Sequence, residues 1–156
     1  MSRTQLAKSL QQMNVVLRLE TDKEKNTLHA FNVAQDYYQQ QKAKLTSLQQ
    51  YRLDYFRQLQ QEGGNGVGAR HYQQRLSFVA KLDKACEQQN QIIAQASVVA
   101  DQRKRQWLAQ QRKRQAVEKL IGKKHATLQQ LDNRQEQQAM DEFALQRLLR
   151  NQYFAG

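Results

Sequence analysis

Nine basic residues crowd one stretch of the chain: Arg103, Lys104, Arg105, Arg112, Lys113, Arg114, Lys119, Lys123 and Lys124, set against Asp101 and Glu118. Such a run can hold an acidic protein surface, anionic lipid or phosphate, and Trp107 within it could stack on a nucleobase or a partner's arginine. The plainer alternatives are a solvated helix face for the cations and seam filling for Trp107. Other chemistry is hard to assemble. His29, His71 and His125 are too dispersed for a ligand cluster, and the single Cys86 suits a small buried hydrophobe. No phosphate-cradling glycine loop, nucleophile elbow or HExxH pair occurs. The sequence thus offers no metal site, no cofactor site and no catalytic set. Its expected business is holding other proteins.

The elements that must position these residues are helices. There are 156 residues with no proline and only 6 glycines, so little obliges a helix to break. Hydrophobic residues make up 39% of the chain and the mean hydropathy is −0.93, which allows a narrow buried seam but not a globular core. No apolar run approaches the roughly 18 residues needed to cross a bilayer, and Met1 to Leu10 lacks the apolar block of a signal peptide. A cytoplasmic protein is expected. The formal charge of +11 calls for acidic partners.

Stepping by alternate fours and threes from Leu6 gives Leu10, Met13, Leu17, Glu20, Glu24, Thr27, Phe31, Ala34, Tyr38, Gln41, Leu45, Leu48, Arg52, Tyr55 and Leu59. A heptad held this long is a coiled-coil seam, and the polar members Glu20, Glu24 and Gln41 are of the kind that fixes register at a cost in stability. Four glycines between Gly63 and Gly68 interrupt it. The pattern then resumes at Tyr72, Val79, Cys86, Ile93, Ala100, Trp107, Arg114, Ile121 and Leu128. The expected fold is all-α: one antiparallel coiled-coil hairpin over 1–156, with helices at 3–61 and 70–150, a turn at 62–69 and a tail at 151–156. Gly122 is a candidate bend inside the second helix. Arg103, Gln110 and Arg114 fall on the seam, where an unpaired charge is costly, so the hairpin is expected to be splayed or wet there.

Two apolar stripes stand out. Leu48, Tyr51 and Tyr55 on the first helix and Phe78, Leu82 and Ala85 on the second meet once the chain folds back. Leu48, Tyr55 and Leu82 occupy seam positions, whereas Tyr51, Phe78 and Ala85 sit beside it, where an aromatic suits docking. The second helix also outruns the first, leaving Leu145, Leu148, Leu149, Tyr153 and Phe154 without a facing helix. Fraying is the competing expectation for residues from Asn151 onward.

The order of Tyr51-x-x-x-Tyr55, Gly64-Asn65-Gly66-Val67, Tyr72-Gln73-Gln74, Leu82-x-Lys84-Ala85-x-Glu87-Gln88, the basic stretch with Trp107, and Met140-Asp141-Glu142-Phe143-Ala144 resembles the flagellar FliJ family. The resemblance runs from about Gln41 to Arg147. It implies a non-catalytic component of the flagellar type III export apparatus, built like the stalk of rotary ATPases. Its partners would be the export ATPase hexamer, the membrane-embedded export gate and the flagellar export chaperones, at the inner membrane of the flagellar base. It further implies gate docking by Leu48, Tyr51, Tyr55, Phe78, Leu82 and Ala85, with Lys44 and Gln89 departing from the family's pattern at the edges. By analogy with rotary stalks, Leu6, Leu10, Met13, Leu17, Leu128, Leu131, Phe143 and Leu145 would face the ATPase.

Alternatives are the equivalent rod of a virulence-type injection system and a basic coiled-coil scaffold or nucleic-acid binder. For the last, Arg103, Lys104, Arg105, Arg112, Lys113 and Arg114 would form the basic face. Glutamines and acids interrupt that face and no DNA-reading motif accompanies it, so no nucleic acid is expected.

Overall fold

The computed structural model describes residues 2–63 and 68–155, which form two helices packed antiparallel, α1 (Arg3–Gly63) and α2 (Ala69–Ala155). Both run longer than expected from sequence. Residues 64–67 of the expected turn lie outside the described residues. The tail expected from Asn151 is instead the last turn of α2, which is helical through Ala155. α2 also passes through Gly122 without interruption, and a side chain there would meet nothing within 4 Å.

Each helix starts on a local hydrogen-bond device. Ser2 Oγ accepts from the Gln5 amide at 3.2 Å while Gln5 Oε1 accepts from the Ser2 amide at 3.1 Å. This reciprocal capping box satisfies donors that the first turn leaves without intrahelical partners. At α2 the carbonyl of Gly68 accepts from the amides of His71 and Tyr72 at 3.0 and 3.1 Å.

The chain divides into two compact units, residues 25–109 and residues 1–24 with 110–156. In the first, Leu59, Leu82, Cys86, Ala96 and Ala100 are buried between the helices together with Gln41 and Gln89. In the second, Leu6, Leu10 and Ile121 are buried, as is Gln110. Every position of the α1 heptad series from Leu6 to Leu59 is buried or half-buried. The side-chain period along α1 therefore matches the interface it builds. Two seam positions foreseen on α2 are exceptions: Tyr72 and Arg103 are exposed.

Candidate functional site

In the unit of residues 25–109, α1 and α2 bring three aromatic rings together near the glycine-rich segment. The ring centroids of Tyr55 and Phe78 are 4.8 Å apart, and Tyr51 lies 6.3 Å from Phe78 in an edge-on arrangement. Tyr51 is 52% exposed, whereas Leu82 is 8% exposed. The six residues expected as one docking stripe thus divide. Leu82 is buried, Leu48, Tyr55 and Ala85 are half-buried, and Tyr51 and Phe78 are the members a partner can reach. Ala85, expected beside the seam, is more covered than that placement suggested. Lys44, Leu48, Tyr51 and Gln89 line a shallow groove beside the cluster. On the other side, Leu53 and Phe56 line a second groove next to the Arg52–Asp83 ion pair at 2.9 Å. Sequence reasoning missed those two; their apolar side chains beside the seam position Arg52 were the available signal.

Trp107 packs its ring edge-on to Phe31, with centroids 5.9 Å apart. It is half-buried in the seam, which removes it as a free stacking platform for a nucleobase. Its indole N–H is buried and has no hydrogen-bond partner. Deeper in the same unit the Gln89 amide donates to Gln41, which satisfies two buried polar side chains at once.

In the unit of residues 1–24 and 110–156, two of the three residues expected to leave the seam splayed or wet, Gln110 and Arg114, are paired across the helices. Gln110 Nε2 donates to the Glu20 carbonyl oxygen at 3.1 Å and to its carboxylate. Arg114 Nε donates to the Glu24 carboxylate, and Arg114 Nη1 lies 2.8 Å from Glu118. Partners in an antiparallel pair run in opposite order, so these two contacts cross one over the other. The seam closes because its charges are paired, the condition under which a charge between helices is tolerated. The hydrogen bond from Gln110 holds the Glu20 carboxyl below its ordinary range, helped by Lys23 and Lys113 and opposed by partial burial. The carboxylates beside Arg114, Glu24 first, push its guanidinium higher still. Of the cations assigned to a basic face, Arg114 is taken up in this way. Arg112 and Lys113 of this unit are exposed, as are Arg103, Lys104 and Arg105 of the other.

The residues expected to face an ATPase also divide. Leu6 and Leu10 are buried, and Met13, Leu17, Leu128 and Leu131 are half-buried against the facing helix. Those six build the hairpin. Phe143 and Leu145, at 67% and 56% exposure, are the two available to a partner. Across the helices Arg3 Nε lies 2.5 Å from Asp132 Oδ1. Beyond it α2 continues to Ala155, about 34 Å further at 1.5 Å per residue, and residues 133–153 are all exposed. Met140, Leu148 and Leu149 belong to the same uncovered stretch.

Among the described residues no group of three or more His, Cys, Asp or Glu could hold a metal ion. No helix among them is long and apolar enough to cross a membrane.

A family model described as Flagellar FliJ protein matches residues 9–153. The Flagellar FliJ protein of Salmonella typhi is 29% identical over 112 residues, which cover 72% of this chain and 76% of that protein. No solved structure matches the chain. The family match takes in both helices, the aromatic cluster and the uncovered end of α2, and on it the chain belongs to the flagellar FliJ protein family.

Proposed function

We infer that this FliJ-family chain is a non-catalytic component of the flagellar export apparatus. It binds the export ATPase ring and promotes its assembly and activity. It also links the ring to the membrane export gate and recycles emptied export chaperones. It works in the cytoplasm, against the inner membrane at the flagellar base. The observation that carries the reading is the uncovered end of α2, where Phe143, Leu145, Leu148 and Leu149 stay exposed past the Arg3–Asp132 contact. Apolar side chains held clear of any facing helix are what a protein partner covers. The charge of +11 suits an acidic lining in that partner. Tyr51 and Phe78, in the other unit, are the exposed members of the surface assigned to the gate. The test is ATP hydrolysis by the cognate export ATPase at limiting concentration. Stimulation and hexamer formation on adding the chain support the reading; no stimulation and no co-elution sink it.

A further inference from the structure

Two sets of contacts bound one flank of the unit formed by residues 1–24 and 110–156. At one end Lys124 Nζ donates to Ser9 Oγ. At the other, Lys23 Nζ lies 3.7 Å from the Glu20 carboxylate, and Lys113 acts on that carboxylate from α2. Stepping back by sevens from Lys23 on α1 gives Val16 and Ser9, and stepping forward from Lys113 on α2 gives Leu120 and Thr127. Val16 and Leu120 therefore lie on this same flank, between its two ends. Leu19 is one turn from Val16, and Val15 is one turn from Leu19, so both stand on the outer side of α1 next to it.

Val15, Val16, Leu19 and Leu120 are 56%, 39%, 55% and 44% exposed. Among the described residues of 2–24 and 110–132 no other large apolar side chain is open to solvent. On the opposite flank the matching positions are Asn14 and Thr21 on α1 and Gln111, Glu118 and His125 on α2, all polar. The apolar flank is also the cationic one. Besides Lys23 and Lys113, Lys123 is one turn from Leu120 and Lys119 precedes it, and all four are exposed. The exposed carboxylate of Asp22 stands at the margin, four residues from Arg18.

We propose that this flank is a lipid-contact surface: on an anionic bilayer Val16, Leu19 and Leu120 enter the boundary between headgroups and acyl chains, while Lys23, Lys113 and Lys123 hold headgroup phosphates. Aliphatic side chains ringed by cations are the composition that lies in a membrane interface. The residue types favour lipid over a protein. Protein interfaces are enriched in aromatics and arginine, whereas this flank has no aromatic ring and its cations are lysines, mobile point charges suited to a diffuse anionic surface. The proposal deepens the inner-membrane placement inferred above and rests on it for its setting. It adds that the chain meets the bilayer directly, with no membrane protein between.

The experiment mixes the full chain, without ATPase, with vesicles of phosphatidylcholine alone or of phosphatidylcholine and phosphatidylglycerol, and reads partition by flotation. Partition into the anionic vesicles should be at least tenfold the stronger. A charge of +11 would by itself favour them, so the variants decide. Val16→Ser with Leu120→Ser leaves every charge in place and should weaken partition at least about fivefold, through lost apolar insertion. Lys119→Gln with Lys123→Gln should weaken it more than Arg103→Gln with Lys104→Gln, an equal charge loss elsewhere on α2. Circular dichroism confirms that each variant stays helical. Unchanged partition by V16S/L120S, or equal loss from the two charge pairs, overturns the proposal. Lipid-free ATP hydrolysis by the export ATPase keeps this result apart from the export reading. Lost flotation with intact stimulation by V16S/L120S is the expected outcome. Lost stimulation with intact flotation assigns the flank to the ATPase and overturns the proposal, while failure of the unmodified chain to stimulate counts against the export reading alone.

Discussion

The side-chain amide of Gln89 donates both to the backbone carbonyl of Gln41, at 2.9 Å, and to its Oε1, at 2.8 Å. Both residues lie between the helices, at 5% and 8% exposure, so each is the other's means of staying hydrogen-bonded out of water. A one-residue slip of either helix would leave both amides buried and unpaired.

Gln89→Ala therefore strands the Gln41 amide and should cost about 1–3 kcal/mol in urea unfolding. Replacing both by leucine should recover that loss while loosening register, as apolar substitutes for buried polar pairs do. A cysteine pair placed across the seam would then cross-link in more than one alignment in the double variant and in a single alignment in the unmodified chain.

Glu20 supplies the pH dependence. Its carboxyl titrates below the ordinary range because Gln110 hydrogen-bonds the ionised form. A depressed folded-state value means that the stabilisation is present above the unfolded value and is lost as pH falls through the folded one. The Tm of the chain should drop on acidification across the carboxylate range. Glu20→Gln should show a shallower drop, and equal slopes for the two proteins would remove Glu20 from the account.

Gly122 sits in the interior of α2 with open space where a side chain would project. Gly122→Ala should raise stability by about 0.5–1 kcal/mol through helix propensity and a less flexible unfolded chain. Thermal unfolding followed by helical ellipticity measures it. A loss of stability would mean that the glycine serves a contact made only in an assembly.

The aromatic cluster permits a separation of stability from docking. Leu82→Ala, at a buried position, should cost about 2–5 kcal/mol. Tyr51→Ala, at a position half open to solvent, should stay within about 1 kcal/mol in unfolding and act on partner binding instead.

The seam of α1 was legible residue by residue, because a heptad unbroken from Leu6 to Leu59 admits one interface and burial follows it throughout. Pairing was not legible. Arg114 on a seam reads as a misplaced charge until Glu24 and Glu118 are brought against it, and no local pattern reveals which residue of the other helix arrives. The same limit affected the candidate site. Leu6, Leu10 and Leu128 carry the right chemistry for a partner, but the facing helix already covers them. Exposure singles out Phe143 and Leu145, and it follows from which residues of α2 have α1 beside them, which no pattern within α2 reveals.

On the proposed function, two surfaces in different units carry different duties. The most direct measurement compares ATP hydrolysis by the cognate export ATPase in the presence of the unmodified chain, of F143S/L145S, and of Tyr51→Ala. All three should be equally helical, since the altered side chains are exposed. The account predicts that F143S/L145S loses most of the stimulation while Tyr51→Ala keeps it. Full stimulation by F143S/L145S, or equal loss in both variants, would contradict it.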